Sequence, residues 1–284
     1  MIGDGVNDLL PLRRANLGIA MESGSAATRG AADLVLLGDA FAVLPRAVVE
    51  GQRILAAMEA TLIILLSRTF YVLLIVAGAA LLALPFPMTP RQNSGLAFVT
   101  VGIPLIVLAL WVPPRRSPKS LVLDTFGLSI PASAAVAVLA LPVYSSALAA
   151  GAPLAESRTI LTTITVCCGL GLLPLVHPAH HDPLVTGRAR AWPWLLALIM
   201  AAVYAAILAI PLARDFYELV PLEPTTFIVL FGLGVGWTLV VHAIRLTGFI
   251  GRVEQEVFRT ITALLRVRRR RVRVGTGTAG DAAG

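Results

Sequence analysis

The sequence predicts a mainly α-helical membrane protein, a six-helix transmembrane bundle with a partial α/β lobe at its amino terminus. The composition is the first observation: the 284 residues are 57% hydrophobic and only 14% charged, against an apolar share of about 45–50% in soluble domains. The mean hydropathy of +0.84 agrees with it. The second observation is a series of apolar windows along the chain. The third is the different character of the first 50 residues.

The amino-terminal lobe alternates short apolar runs with helical stretches. Residues 9–14 and 24–32 have helical composition, whereas residues 17–21 and 34–37 are short apolar runs. This alternation is typical of α/β units with a buried parallel sheet. Two strands with open edges do not make a stable domain in so short a segment, so we expect the rest of this domain to come from sequence outside the chain.

Six windows are long enough to cross a membrane. A hydrocarbon core about 30 Å thick needs about 20 mostly apolar residues per helix. The windows that meet this requirement are 63–84, 96–112, 126–148, 160–176, 194–212 and 227–244. We therefore expect three regions: residues 1–50 as the lobe, 51–250 as the transmembrane domain, and 251–284 as a basic tail that is partly disordered.

The basic residues predict the orientation of these spans. On one side lie Arg115, Arg116, Lys119, Arg188, Arg190 and the run from Arg245 to Arg273, and on the other only Arg91, Arg158 and Arg214. By the positive-inside rule both termini face the cytoplasm. Topology thus accounts for the net charge of +7, and the tail is expected to touch anionic lipid headgroups. Nucleic acid is not an expected partner, because the arginine run has no interleaved aromatic residues for base stacking.

Two groups of residues whose side chains can ligate metals are better interpreted without a metal. Cys167 and Cys168 are adjacent inside a span, which suits neither an ordinary disulfide nor a four-ligand zinc site. We interpret them as small apolar core residues. His177, His180, His181 and Asp182 fall in a proline-broken loop, where a solvated loop is favoured over a metal site because nothing fixes the geometry.

The hexapeptide Gly3-Asp4-Gly5-Val6-Asn7-Asp8 has the composition of a phosphate-chemistry loop. Its two glycines permit tight turns and the close approach of a phosphate. Asp4, Asp8 and the Asn7 amide offer hard oxygen ligands of the kind that Mg²⁺ prefers. Spacing alone is only suggestive, because Asp-Gly and Asn-Asp pairs are also ordinary turn formers.

A longer stretch is much more specific. The hexapeptide, followed by Leu12-Arg13, residues 15–21, Gly24-Ser25 and residues 32–36, resembles the carboxyl-terminal end of the phosphorylation domain of P-type cation-transporting ATPases. In that family the domain is haloacid-dehalogenase-like and the hexapeptide is the hinge motif. The resemblance continues through residues 41–53 into the first span, and six spans fit the final membrane helices of such pumps.

The resemblance implies roles for the loop residues. Asp4 would bind the catalytic Mg²⁺, and Asp8 is a second candidate ligand. Asn7 and Asp8 would lie beside the phosphoryl group and position it, with Gly3 and Gly5 shaping the loop that binds the cofactor. Phosphoryl transfer to a carboxylate needs charge neutralisation by a metal and accurate placement more than covalent help.

Other motifs of the family are missing from the sequence. It contains no Asp-Lys-Thr-Gly phosphorylation motif, no Thr-Gly-Glu motif and no segment long enough for a nucleotide-binding domain. We therefore expect the chain to correspond to about the last third of a plasma-membrane pump, with Met1 internal to a longer polypeptide. ATP would be bound mainly by the missing amino-terminal domains, so we expect no activity from this chain alone. A non-catalytic membrane partner or remnant is the alternative, and in-frame coding sequence upstream of Met1 would discriminate between the two.

The second span carries a further resemblance. Thr100-Val101-Gly102-Ile103-Pro104 resembles the unwound Gly-x-Pro region of the family's sixth membrane helix, but Ala97 and Val101 stand where calcium and sodium pumps carry asparagine and aspartate. No Asp or Glu lies deep in a span, since Glu59 and Asp124 fall at predicted ends. Calcium is the leading candidate cation on general resemblance. Its ligands would be neutral oxygens from Ser67, Tyr71, Asn93, Ser94, Thr100 or carbonyl groups freed by Pro104, together with ligands on the missing preceding membrane helix.

Arg68 lies only a few residues inside the first predicted span. An intramembrane arginine is costly and often functional, so it could occupy the place of a cation or hold the chain near Pro104. The alternative is that its side chain extends to the cytoplasmic surface. The sequence does not decide between them.

Overall fold

The computed structural model describes residues 1–113, 121–176 and 187–246. Two compact units divide the chain, Met1–Gln52 and Arg53–Gly284. Several positions discussed above lie outside the described residues: Arg115, Arg116, Lys119, the cluster at 177–182 and the tail 251–284.

The first unit is a small parallel α/β structure. Its elements in chain order are β1 (Ile2–Gly3), α1 (Leu9–Arg14), β2 (Ile19–Met21), α2 (Ala26–Ala31) and β3 (Leu34–Leu36). The strand order is β1-β2-β3, with Ile2 opposite Ile19, Ile19 opposite Leu34, and every pairing parallel. The sequence predicted the second and third strands and both helices, whereas β1 was not predicted because two residues give no periodicity to detect.

A small core holds this unit together. Leu12 of α1 and Ala20 of β2 are 1% and 0% exposed, so α1 packs its apolar side against the sheet. A parallel strand can return to the same sheet only through a crossover, and α1 and α2 supply the two crossovers. The lobe is limited to three short strands, and its assignment to the haloacid-dehalogenase class stays a prediction.

The second unit is helical. Its elements, the first of which begins within the amino-terminal unit, are α3 (Leu44–Leu81), α4 (Pro90–Ala97), a π-helical turn (Phe98–Gly102), α5 (Ile103–Trp111), α6 (Leu121–Ala149), α7 (Leu154–Val176), α8 (Gly187–Ala209), α9 (Pro211–Phe216) and α10 (Pro224–Leu246). Within the described residues, six segments are long and apolar enough to cross a membrane: Phe41–Leu81, Pro90–Leu110, Thr125–Ala149, Leu154–Val176, Ala191–Ala209 and Pro224–Ile244. The prediction of a mainly helical protein is confirmed, and each of the six predicted spans overlaps a helix that is long and apolar enough to cross a membrane.

Two predicted spans end three residues earlier in the structure than in the sequence analysis. The helix expected to reach residue 84 ends at Leu81, because Ala83 turns left-handed at φ 53° and the Leu84 amide donates back to the Ala79 carbonyl at 2.9 Å. This is the usual closure of a helix carboxyl terminus. The helix expected to reach residue 212 ends at Ala209, and α9 begins at Pro211, since proline lacks the amide that would continue α8.

Helix α7 is the centre of the bundle. In its apolar window 94% of the residues are buried, against 17–39% in the other five segments. It packs against α6, α8 and α10. Gly234 lets α10 approach α7 closely, because a Cβ there would lie 2.4 Å from the Cys167 Cβ. Gly232 and Gly236 have open space around them in the described part of the chain, so of these three glycines it is Gly234 that serves close packing on α7.

Candidate functional site

The hexapeptide loop folds around one carboxylate. β1 ends at Gly3, and residues Val6–Asp8 form a 3₁₀ turn that leads into α1. The Asp8 Oδ2 accepts hydrogen bonds from the backbone amides of Asp4 and Gly5, both at 3.2 Å. Gly3 is required here, because a Cβ at that position would lie 2.6 Å from the Asp8 Cβ.

Helix α2 anchors the other side of the loop. The Ser25 amide donates to the Asp4 carbonyl at 2.9 Å, and the Thr28 hydroxyl donates to the Gly5 carbonyl at 2.9 Å. Ser25 also caps α2 by accepting from the Thr28 amide at 3.1 Å. A Cβ at Gly24 would lie 2.7 Å from the Asp4 carbonyl oxygen, so the two segments meet without a side chain between them.

Ser25 and Thr28 were not singled out as site residues by the sequence analysis. The available signal was a serine directly before a helical stretch, which is a typical amino-terminal cap. Their contact with the loop depends on a tertiary approach of α2 that no local pattern encodes.

The three polar side chains of the loop differ in exposure. Asp4 and Asn7 are exposed, and Asp8 is half-buried. Among the described residues no group of three or more His, Cys, Asp or Glu side chains could hold a metal ion. The loop itself presents one exposed carboxylate, that of Asp4, on a backbone held by hydrogen bonds to the half-buried Asp8 carboxylate. Such a set suits Mg²⁺, which takes one or two carboxylates and completes its shell with water and phosphate oxygens.

The membrane candidates form a second, separate group. Ser67, Tyr71 and Thr100 are only 1%, 1% and 2% exposed. Ser67 and Tyr71 lie one turn apart on the same face of α3. A Cβ at Gly169 of α7 would lie 3.0 Å from the Thr100 Cγ2 and 3.3 Å from the Tyr71 Oη. The fold thus brings Tyr71 and Thr100 together against α7, and Gly169 is a residue of this site that the sequence analysis missed.

The hydroxyl groups of Thr100 and Ser67 differ in their hydrogen bonding. The Thr100 hydroxyl donates to the Leu96 carbonyl at 2.7 Å. The Ser67 hydroxyl is buried and has no hydrogen-bond partner among residues 1–113, 121–176 and 187–246. The Ser67 carbonyl accepts from the Ser133 hydroxyl at 2.9 Å, which ties α6 to α3 at this depth.

The second span is widened where we expected an unwound region. In the π-helical turn Phe98–Gly102 the Ile103 amide donates to the Phe98 carbonyl, five residues back instead of four. Pro104 follows and is buried, and it has no amide to donate to a carbonyl of this turn. A π-turn followed by proline leaves backbone oxygens available to other partners, and such turns are frequent at functional sites.

The remaining polar candidates of the membrane unit have other roles. Ser94 is exposed and bonds its own helix, donating to the Arg91 carbonyl at 2.8 Å. The side-chain oxygen of Asn93 accepts a hydrogen bond from Arg68 at 2.8 Å. Arg68 therefore links α3 to α4, which favours a bridging role over extension to the cytoplasmic surface. Glu59, which the sequence placed at the end of a span, is buried on α3 at 6% exposure.

No protein-family model matches the chain. It is 31% identical over 247 residues to the calcium-transporting ATPase CtpE of Mycobacterium bovis, and equally to that of Mycobacterium tuberculosis, with 83% of this chain covered. It is 29% identical over 261 residues to the protein of the same name in Mycolicibacterium smegmatis, with 86% covered. The chain spans 30–32% of the length of these relatives. The chain is thus homologous over most of its length to P-type calcium-transporting ATPases, and its six apolar helices fit the carboxyl-terminal membrane portion of such a pump.

Proposed function

We propose that the 284-residue chain forms the carboxyl-terminal portion of an ATP-driven pump. The pump would move a cation across the plasma membrane, with calcium as the leading candidate. The observation that supports it most is the combination of the anchored Gly3–Asp8 loop with six apolar helices in one chain whose relatives are named calcium-transporting ATPases. Both termini would lie in the cytoplasm, as the distribution of basic residues indicates. The activity belongs to the complete pump, and we expect this chain alone to be inactive.

The loop would act by positioning Mg²⁺ and the phosphoryl group. Asp8 holds the backbone of Asp4 and Gly5, and α2 fixes the carbonyl groups of the same two residues. The exposed Asp4 carboxylate is then oriented to bind Mg²⁺, with Asp8 as a second candidate ligand and Asn7 beside the phosphoryl group. Bound Mg²⁺ would neutralise the charge that develops on a transferring phosphoryl group. The phosphorylated aspartate and most of the ATP site would come from other regions of the pump.

The cation would pass between α3, the second span and α7. Ser67, Tyr71 and Thr100 offer neutral oxygens in a buried position. The widened turn before Pro104 adds backbone carbonyl groups, which are suitable ligands for a desolvated cation. These ligands carry no formal charge, so further carboxylate ligands would have to come from elsewhere in the pump.

Phosphoenzyme formation tests the role of Asp4. The 284 residues are joined to the amino-terminal portion of a mycobacterial relative, which supplies the phosphorylated aspartate and the nucleotide domain. We expect Asp4→Asn to abolish Mg²⁺-dependent phosphoenzyme formation from ATP. The matched control is Asp33→Asn, because Asp33 accepts from the Gly18 amide at 2.8 Å at the opposite edge of the sheet.

The outcomes are distinct. Normal phosphoenzyme levels in Asp4→Asn would remove Asp4 from the proposed role, and equal loss in Asp33→Asn would indicate a folding defect in the lobe. A panel of cations in the ATPase assay of the same fusion then identifies the ion. Stimulation by calcium is expected, and stimulation only by another cation would contradict the calcium assignment.

A further inference from the structure

A large apolar groove lies within the membrane-spanning helices, apart from the residues proposed to bind the cation. Its volume is about 410 Å³, which is in the range of ligand-sized pockets. Helix α7 forms its floor, and α8 and α10 form its walls. The lining includes Cys167, Ala201, Ala205, Phe231 and Leu239.

The groove exists because both walls pack on α7. Glycines allow α10 to pack closely on α7. A Cβ at Gly171 would meet the Thr238 side chain, and one at Gly234 would meet Cys167. On α8 four of the seven lining residues are alanines, at 197, 201, 202 and 205. Small side chains leave the space between α8 and α10 unfilled.

An aromatic contact lies at one end of the groove. Trp194 of α8 and His242 of α10 meet edge to face, with ring centroids 6.0 Å apart. Tryptophan is enriched where a membrane meets water. The sequence has arginine at positions 188, 190 and 245, which fall at this same end of α8 and α10, and arginine is the residue type that anionic lipid headgroups attract.

The chemistry of the lining excludes a polar occupant. Two hydroxyl groups face this region, and both are already used: Thr238 donates to the Gly234 carbonyl at 2.8 Å, and the Tyr204 hydroxyl pairs with the Thr163 hydroxyl at 3.0 Å. The remaining lining is almost entirely carbon and sulfur. A polar ligand or a chain of waters would lose hydrogen bonds on entry, whereas a hydrocarbon chain would not.

We propose that the groove between α8 and α10 binds one acyl chain of a membrane phospholipid, with the headgroup at the Trp194–His242 end. The occupant is a lipid because the walls are membrane helices whose outer rims are open: Leu198 and Leu239 are 63% and 58% exposed, and hydrocarbon is the medium at that depth. The proposal does not depend on pump activity. It needs only that the helices span a bilayer.

Photo-crosslinking tests the proposal on the full chain in phosphatidylcholine–phosphatidylglycerol vesicles. A phospholipid with a diazirine in its acyl chain is added at increasing mole fraction, and adducts are mapped by mass spectrometry. We expect adducts on the lining of α7, α8 and α10 that saturate at low mole fraction. Adducts that rise linearly and spread evenly over all lipid-facing helices would overturn the proposal, since they would reflect bulk lipid.

Filling the groove provides the second measurement. Ala201→Phe with Ala205→Phe should reduce the saturable adducts at least several-fold. The matched control is Ala206→Phe with Ala209→Phe, which adds the same volume at two exposed positions of α8 outside the lining. Unchanged labelling in the filled variant would contradict the proposal. Dimers joined through Cys167 by an added bismaleimide, in place of lipid adducts, would also contradict it and would identify a second copy of the chain as the occupant. Should the filled variant fail to fold, the saturation curve of the unmodified chain still decides.

Discussion

The Arg68 guanidinium donates to both oxygens of Asn93, to its backbone carbonyl at 3.0 Å and its side-chain carbonyl at 2.8 Å. These bonds join α3 to α4 across 25 residues of sequence. The Arg68 Nε is buried and has no hydrogen-bond partner in the described part of the chain. The guanidinium is therefore only partly satisfied by the protein, and Asn93 is its main support.

Asn93→Ala should destabilise the membrane unit. Removing the amide leaves the half-buried Arg68 guanidinium short of an acceptor, which costs about 1–3 kcal/mol of unfolding free energy. Chemical unfolding in mixed micelles measures this loss of unfolding free energy. Ser94→Ala is the control at the next position, because its hydroxyl is exposed and bonds its own helix, and its effect should stay within about 0.5 kcal/mol. Equal stability of the two variants would show that Arg68 does not rely on Asn93.

Gly3→Ala should open the hexapeptide loop. The new Cβ would lie 2.6 Å from the Asp8 Cβ, so the loop or α1 must move, at a cost of about 1–3 kcal/mol. Limited proteolysis within the first 52 residues should become faster. Gly30→Ala is the control within the same lobe: its surroundings are open, and alanine inside a helix is favoured over glycine by about 0.5–1 kcal/mol. Faster cleavage in Gly30→Ala than in Gly3→Ala would contradict this account of the loop.

The local elements were the predictable part of this fold. Residues 9–14 were expected to be helical, and α1 has those bounds, because composition and the 3.6-residue period act within one turn of helix. Each apolar window likewise overlaps an apolar helix of the structure. What could not be predicted was non-local. The Arg68–Asn93 bonds, the anchoring of the loop by Thr28, and the meeting of Tyr71 with Thr100 at Gly169 each join segments that are distant in sequence.

The spacing of glycines in α10 also predicts less than the structure shows, because contacts between helices are not encoded locally. A series with glycine at 232, 234 and 236 predicts close helix approach, yet only the partner helix decides which glycine is used. Gly234→Ala should disrupt the bundle, since its Cβ would lie 2.4 Å from the Cys167 Cβ, whereas Gly232 has open space. We expect a loss of about 1–3 kcal/mol for Gly234→Ala and no loss for Gly232→Ala. Thermal unfolding in detergent compares the two, and a larger loss at 232 would mean that α7 and α10 pack in another register.

The stability of the amino-terminal lobe should depend on pH through Asp39. Hydrogen bonds from Ser23, one of them from its amide to the Asp39 Oδ1 at 3.2 Å, hold the pKa of this carboxyl below its usual value. Because this pKa is lower in the folded state, the stability that the ionised Asp39 carboxylate adds to the lobe is complete above the unfolded pKa of about 3.9. It is lost as the pH falls through the lower, folded value.

Asp39→Asn tests this dependence. Hydrogen exchange of the first 52 residues, followed between neutral pH and pH 3, should show a shallower loss of protection in the variant than in the unmodified chain. Asp4→Asn is the comparison, because the Asp4 carboxylate is exposed and makes no comparable bond in the described structure. A steeper loss in Asp39→Asn would reverse the sign of the argument and exclude the Ser23 bonds as its cause.

Tyr71→Phe should weaken cation binding without disturbing the fold. The Tyr71 hydroxyl is buried beside Thr100 and Gly169, at the meeting point of α3, the second span and α7. Loss of one neutral oxygen ligand should raise the calcium concentration for half-maximal ATPase activity about fivefold in the joined pump, equivalent to about 1 kcal/mol. Tyr144→Phe removes an equally buried hydroxyl, one that donates to the Pro85 carbonyl at 3.0 Å, and should lower stability without altering the calcium dependence. An unchanged calcium dependence in Tyr71→Phe, with Thr100→Val also unchanged, would place the cation path elsewhere in the pump.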